Sequence, residues 1–303
     1  MGSWNEILQE IQTCERKDAV DFVRRKYLKR LHEKTGRNVI AYYSGWLQKP
    51  DIKGIEIDDG DKNAFMANLY QLDFSKGLDL ILHTPGGQVA ATESVVNYLR
   101  KKFKNNIVAY IPQIAMSCGT MMACACKEIY MGDHSNLGPI DPQFNGIPAI
   151  GVVQEFERAM KEVKEDPTKA NIWRFIIGKY HPSFIGECEN AIKWSRHIVT
   201  EWLESGMFSG TKNPKEQAQK VAQALQNRDE TLTHSRHLGA EECQKIGLNV
   251  KKIEDDQNLQ DVLLSIHHAF MITLAHTTAF KIVENHNGAA YVNHAQQVIV
   301  PQR

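Results

Sequence analysis

One pattern constrains this chain more than any other feature, and it occurs twice between residues 78 and 143: an apolar run, a turn of small residues, then a helix-like stretch. The first copy runs Leu78-Asp79-Leu80-Ile81-Leu82-His83 into Thr84-Pro85-Gly86-Gly87. The second runs Ile107-Val108-Ala109-Tyr110-Ile111 into Ala115-Met116-Ser117-Cys118-Gly119-Thr120. A strand with one face in water alternates apolar and polar residues. These runs are apolar at nearly every position, so they predict strands buried on both faces, as in a parallel sheet covered by helices. A helix over 90–104 and another opening at Ser117 supply the crossovers, and the fold class is α/β with repeated βαβ units.

The two turns carry candidate chemistry. Glycine needs no Cβ clearance, so the backbone N–H groups at Gly86-Gly87 can approach a ligand and point at a developing oxyanion. An ordinary Pro-Gly loop has the same composition. Ser117 sits among small residues on a strand-to-helix turn, the setting of a nucleophile elbow, where Oγ is exposed and the next N–H is free. A plain serine N-cap would read the same way. Each turn alone is read as readily as ordinary structure. Their recurrence one βαβ unit apart favours the chemical reading.

These residues, together with Leu137-Gly138-Pro139-Ile140-Asp141-Pro142-Gln143 and Ala240-Glu241-Glu242-Cys243-Gln244-Lys245-Ile246-Gly247-Leu248, resemble the ClpP/crotonase superfamily. Within it the chain is most similar to the serine dehydrogenase proteinase family, relatives of the signal peptide peptidase SppA. The resemblance covers residues 38–253. It implies a ClpP/crotonase-like fold with accessory helical parts at 1–37 and 254–303. It also implies a serine endopeptidase acting on a peptide or unfolded protein through a Ser117 acyl-enzyme. Gly86 and Gly87 would border the substrate, and the N–H groups of Gly87 and Cys118 would form the oxyanion hole. It further implies a homo-oligomer and no cofactor or metal.

Ser117 needs a base, since a serine hydroxyl is a poor nucleophile at neutral pH. Set on the ClpP pattern, the chain has Asp141 near the family's histidine position and His234 near its acidic one. The implied triad is Ser117–His234–Asp141 with histidine and aspartate exchanged in chain order, which chemistry permits because triads are defined by geometry. Asp141 as a turn residue before Pro142 and His234 as a loop histidine are the plainer readings. The SppA side of the resemblance implies instead a desolvated lysine. Among Lys161, Lys164, Lys169 and Lys179, the last follows Ile176-Ile177-Gly178 and is the preferred candidate.

Composition narrows the alternatives. The 303 residues, 42% hydrophobic, suffice for one large core. The formal net charge is zero, which argues against nucleic acid as a partner. The nine basic residues against three acidic ones between Arg16 and Arg37 are expected to form a solvated helix face. Six scattered cysteines with no CxxC pair fit a reducing, cytoplasmic setting. The uncharged stretch 107–126 is broken by polar residues and reads as strand, turn and helix. No transmembrane segment is expected; peripheral membrane association is left open. Residues 49–63 read as a loop, in which Asp58-Asp59-Gly60-Asp61 lacks the remaining spacing of a calcium site. A final helix is expected over 261–283, with His267, His268 and His276 on its surface or at an interface rather than as ligands, and 290–301 as a strand or loose tail. Two other classes share this fold: an acyl-coenzyme A enzyme of crotonase type, for which no adenine or pyrophosphate subsite is visible, and a non-catalytic oligomeric scaffold.

Overall fold

The computed structural model describes residues 2–226 and 233–295. Its strands, in chain order, are β1 (Asn38–Ser44), β2 (Leu78–His83), β3 (Ile107–Ile111), β4 (Ile114–Ala115), β5 (Glu128–Met131), β6 (Asn136–Leu137), β7 (Gln143–Phe144), β8 (Ile147–Pro148), β9 (Val250–Lys252), β10 (Ala279–Asn285) and β11 (Ala290–His294). Seven of them form the central sheet in the order β11-β10-β1-β2-β3-β5-β9. From β1 to β9 the neighbours are parallel; β10 and β11 add antiparallel edges.

The unbroken apolar runs are explained by the two cores they serve. Val39, Ala41, Tyr43, Ile81 and Val108 point into one, beneath the helices Ala19–Thr35 and Gln257–His276. Ile40, Tyr42, Leu80, Leu82, Ala109 and Ile111 point into the other, beneath Val89–Phe103 and Cys118–Cys124. Successive side chains of a strand alternate between faces, and here both faces are dry. The result is a three-layer α/β fold. A smaller cluster of Ala149, Val152 and Cys188 holds an insertion of helices Ala149–Glu165, Ala170–Ile177 and Phe184–Ser205. No described helix is long and apolar enough to cross a membrane.

Three local expectations are corrected. The final helix ends at His276 rather than Val283, where the Thr277 N–H bonds back to the Thr273 carbonyl. Ala279–Asn285 then pairs with β1, Tyr43 opposite Ile282 and Ser44 opposite Lys281. A sheet edge offers this stretch a full ladder of hydrogen bonds, and that outweighs its helix-like periodicity. His267 is buried within the sheet-side core, its Nδ1 3.3 Å from the Tyr43 hydroxyl, and not on the surface. The basic stretch 16–37 is not a uniform solvated face either: Arg24 is fully buried and donates to the equally buried Glu284 at 2.8 Å. Of the 290–301 segment, Ala290–His294 is β11; residues 296–301 lie outside the described residues.

Candidate active site

β2 ends at His83 and the chain continues extended, so that Thr84 pairs with Ala115 at the tip of the second repeat. The Thr84 N–H donates to the Ile114 carbonyl at 3.2 Å, and the Met116 N–H to the Thr84 carbonyl at 3.0 Å. This pairing presses the two turns together. A Cβ on Gly86 would lie 2.7 Å from Ser117 Cβ and 2.8 Å from the Met116 carbonyl oxygen. Only a residue without a side chain permits that approach, and the φ of +100° at Gly86 favours glycine as well.

Ser117 holds the N-cap position of the helix Cys118–Cys124, yet its side chain makes no capping hydrogen bond. Its backbone lies at φ 50°, ψ −115°, a region a serine enters only at a cost of about 1–3 kcal/mol. The helix still starts there, because the Met121 N–H donates to the Ser117 carbonyl at 3.1 Å. The backbone caps and the hydroxyl is left over, which is the reverse of the plain N-cap reading. The neighbouring N–H of Cys118 begins the helix and has no protein acceptor among the described residues, and the same holds for Gly87 N–H. The Cys118 thiol is buried and donates to the Gly87 carbonyl at 3.0 Å, so it is not available as a nucleophile; burial pushes its pKa up.

Asp141 and His234, far apart in sequence, meet through a second set of short pairings. β4 runs parallel to β6. Leu137 of β6 pairs antiparallel with Leu238, by reciprocal bonds of 3.0 and 2.8 Å. Asp141 lies four positions after Leu137, and His234 four before Leu238; antiparallel chains bring such positions opposite one another. The His234 Nδ1 is 2.8 Å from Asp141 Oδ1. The Asp141 side chain is 4% exposed and that of His234 22%, so the carboxylate is sheltered while the imidazole reaches solvent. His234 Nε2 has no protein partner among the described residues. Thr120, on the helix Cys118–Cys124, ties the assembly together: its hydroxyl donates to the Ala115 carbonyl and accepts from the Gly138 N–H, each at 2.9 Å.

Ser117, Gly86, Gly87 and His234 line one cavity of about 560 Å³. Its apolar wall includes Met121 and Ile140; Gln143, Asn145 and Gly146 form its rim on the β7–β8 hairpin. No hydrogen bond joins Ser117 to His234 in this structure. Asn145-Gly146, a strong hairpin signal in any sequence, is the feature that could have placed this rim. Also unforeseen was Ile57, in the segment expected to be only a loop. Its N–H donates to the Gly86 carbonyl at 2.8 Å and its carbonyl accepts from Gln88 N–H at 2.9 Å. Nothing in an Asp- and Gly-rich stretch announces a single-residue bridge of that kind.

The desolvated lysine expected at position 179 is not found there. Lys179 is exposed, its ammonium over the Phe175 ring at 4.9 Å. The apolar residues before it belong to the surface helix Ala170–Ile177, of which Ile172 and Phe175 are themselves exposed. Lys161 and Lys164 are exposed too, Lys169 pairs with Glu162 at 3.4 Å, and among the described residues no lysine lines the cavity. Among the described residues no group of three or more His, Cys, Asp or Glu side chains is placed to hold a metal ion; Asp58 and Asp61 instead pair with Lys281.

Comparison with known proteins bears on this geometry. The model of one family, described as ClpP-like SDH-type serine proteinase, matches residues 8–264. The chain belongs to that family. It is also similar to two uncharacterised proteins of Methanocaldococcus jannaschii: 28% identical to one over 75% of this chain and 71% of the relative, and 27% identical to the other over 76% and 74%. A solved structure of 1510-N, a membrane-bound stomatin-specific protease in a mutant form, covers 64% of this chain and 74% of its own at 15% identity and a TM-score of 0.37. A likeness that distant contributes nothing to the argument. As an SDH-type proteinase, the chain carries the α/β architecture of a ClpP-like enzyme together with a serine on a strained turn.

Proposed function

We propose that this SDH-type proteinase is a serine endopeptidase that uses Ser117 as nucleophile and His234, oriented by Asp141, as base. The observation that carries the reading is the convergence on one cavity of an uncapped serine in a strained elbow and a histidine already bound to a sheltered carboxylate. In the first half-reaction Ser117 Oγ adds to the scissile carbonyl carbon while His234 Nε2 takes its proton; Asp141 keeps the other proton on Nδ1 and stabilises the imidazolium. The carbonyl oxygen, now negative, is received by the N–H groups of Gly87 and Cys118. The tetrahedral adduct collapses, the C–N bond breaks, and His234 returns the proton to the leaving amine. Water then adds to the acyl carbon, giving its proton to His234; as the C–O bond to Ser117 breaks and the acid leaves, His234 returns that proton to Ser117 Oγ.

The assembly is a homo-oligomer in this reading. An open cavity on one subunit restricts substrates poorly, and the insertion exposes Met160, Ile172 and Phe175, the apolar surface a symmetric contact would cover. The peptidase assignment is tested by Ser117→Ala. Peptide hydrolysis and fluorophosphonate labelling should both vanish with the fold unchanged; retained activity would remove Ser117 from the mechanism.

A further inference from the structure

Lys281 is buried, 2% exposed at its side chain, and lies on β10; it does not itself line the cavity, but it bonds Glu56, which does. An ammonium in such a place is costly unless every proton is met. Here all three are: Nζ donates to the Glu56 carbonyl at 2.7 Å, to Asp58 Oδ2 at 3.3 Å and to the Asp61 carboxylate at 3.0 Å. Asp61 is held in turn by the Tyr42 hydroxyl at 2.9 Å and the Asp58 N–H at 3.0 Å. Ser44, which faces Lys281 across the β1–β10 pair, donates its hydroxyl to the Ile55 carbonyl at 2.5 Å. Adjacent residues of the sheet thus grip adjacent carbonyls of one strap, 55–58.

The next residue of that strap is Ile57, which bonds Gly86 and Gln88 on either side of Gly87. The contact is so close that a Cβ on Gly87 would lie 2.3 Å from both Ile57 N and Ile57 O. Gly87 has no rotamer or side chain to hold its peptide plane, and its φ of 157° is open to no other residue packed this way. What fixes the direction of the Gly87 N–H is the strap, and what fixes the strap is the pair Lys281 and Ser44. Because the strap occupies one edge of the turn with Ile57 N–H and C=O, the Gly87 N–H is left on the other.

We propose that Lys281 is a positioning residue of this enzyme, clamping the 55–58 strap so that the Gly87 N–H is aimed where the oxyanion forms. The inference rests on the serine peptidase reading above. The experiment uses the full chain as Lys281→Met, Lys281→Arg and Ser44→Ala, with active sites counted by fluorophosphonate titration. The readouts are kcat and KM for a fluorogenic peptide and the affinity of a peptide aldehyde, which binds as an oxyanion-bearing adduct. Misdirecting one oxyanion donor should lower kcat per titrated site about 10- to 100-fold in Lys281→Met and less in Ser44→Ala. KM should move less than about threefold, aldehyde affinity should fall in step with kcat/KM, and Lys281→Arg should restore part of the loss. A residue that served stability alone would lower the number of titrated sites and leave kcat per site untouched; that result overturns the proposal. If Lys281→Met yields no folded protein, Ser44→Ala decides by the same criterion. Activity persisting in Ser117→Ala would instead defeat the peptidase reading, so the two failures are told apart.

Discussion

Gly86→Ala is the sharpest perturbation the geometry offers. The new methyl would sit 2.7 Å from Ser117 Cβ and 2.8 Å from the Met116 carbonyl oxygen. Ordinary carbon–carbon contact is 3.5–4.0 Å, so the two turns would have to separate by roughly 1 Å. Neither partner yields easily. The Met116 carbonyl is bonded to the Gly119 N–H at 2.7 Å, the Met116 N–H to Thr84, and Ser117 is already strained. To this steric cost is added the φ of +100°, about 1–3 kcal/mol for a residue with a Cβ. A stability loss of about 2–4 kcal/mol is expected, within the range of disruptive single substitutions. On the proposed mechanism, a displacement near 1 Å between Ser117 and the Gly86-Gly87 turn should cost about 100-fold in kcat/KM. Gly36→Ala is the control. Gly36 also has positive φ, +69°, but nothing lies within 4 Å of its Cβ position and it caps a helix remote from the cavity. It should lose about 1 kcal/mol and no activity. Both variants are to be measured by urea unfolding and by hydrolysis of a fluorogenic peptide. If Gly86→Ala matches Gly36→Ala in activity, the two turns do not act together and the argument fails.

His234→Ala should lower turnover about 10³-fold or more and Asp141→Asn somewhat less, while Lys179→Ala should leave kcat/KM within about twofold, each variant being checked for fold. His83 is fully buried with neither ring nitrogen hydrogen-bonded, and burial pushes its pKa down to about 3. The unfolded chain takes up that proton near 6.5, so between about 6.5 and 3 it holds more protons than the folded one. Stability on this account is intact above about pH 6.5 and falls by up to about 1.4 kcal/mol per pH unit below it. Urea midpoints of His83→Leu should therefore fall less steeply than wild type between pH 6.5 and 4; parallel curves would refute the assignment. Sedimentation at micromolar concentration should show an oligomer, and Phe175→Glu or Met160→Glu should weaken it; a monomeric wild type would contradict the interface reading.

What the sequence by itself determined is what depends on local chemistry and on patterns along the chain. Apolar residues at successive positions require burial on both strand faces, and β2 and β3 could be read from that without any partner in view. The turns at Ser117 and Gly86-Gly87 were legible because a sharp, closely packed turn restricts residue type. The exchanged order of Asp141 and His234 was readable only through resemblance to a family. What made them neighbours is the pairing of Leu137 with Leu238, a register that no local composition encodes. The same limit explains the misplaced helix end. Residues 277–283 are compatible with a helix, and became a strand because β1 had an edge to fill. It explains Lys179 as well: flanking isoleucines raise the odds of burial, but the helix they belong to lies on the outside of the insertion. Lys281 is the mirror case, a lysine in an ordinary-looking run whose burial among Glu56, Asp58 and Asp61 arises from contacts more than two hundred positions away. Turn geometry is a property of a few adjacent residues, so it survives in the sequence. Burial of a charge and the meeting of an imidazole with a carboxylate are properties of how distant segments pack, and only the tertiary structure decides them.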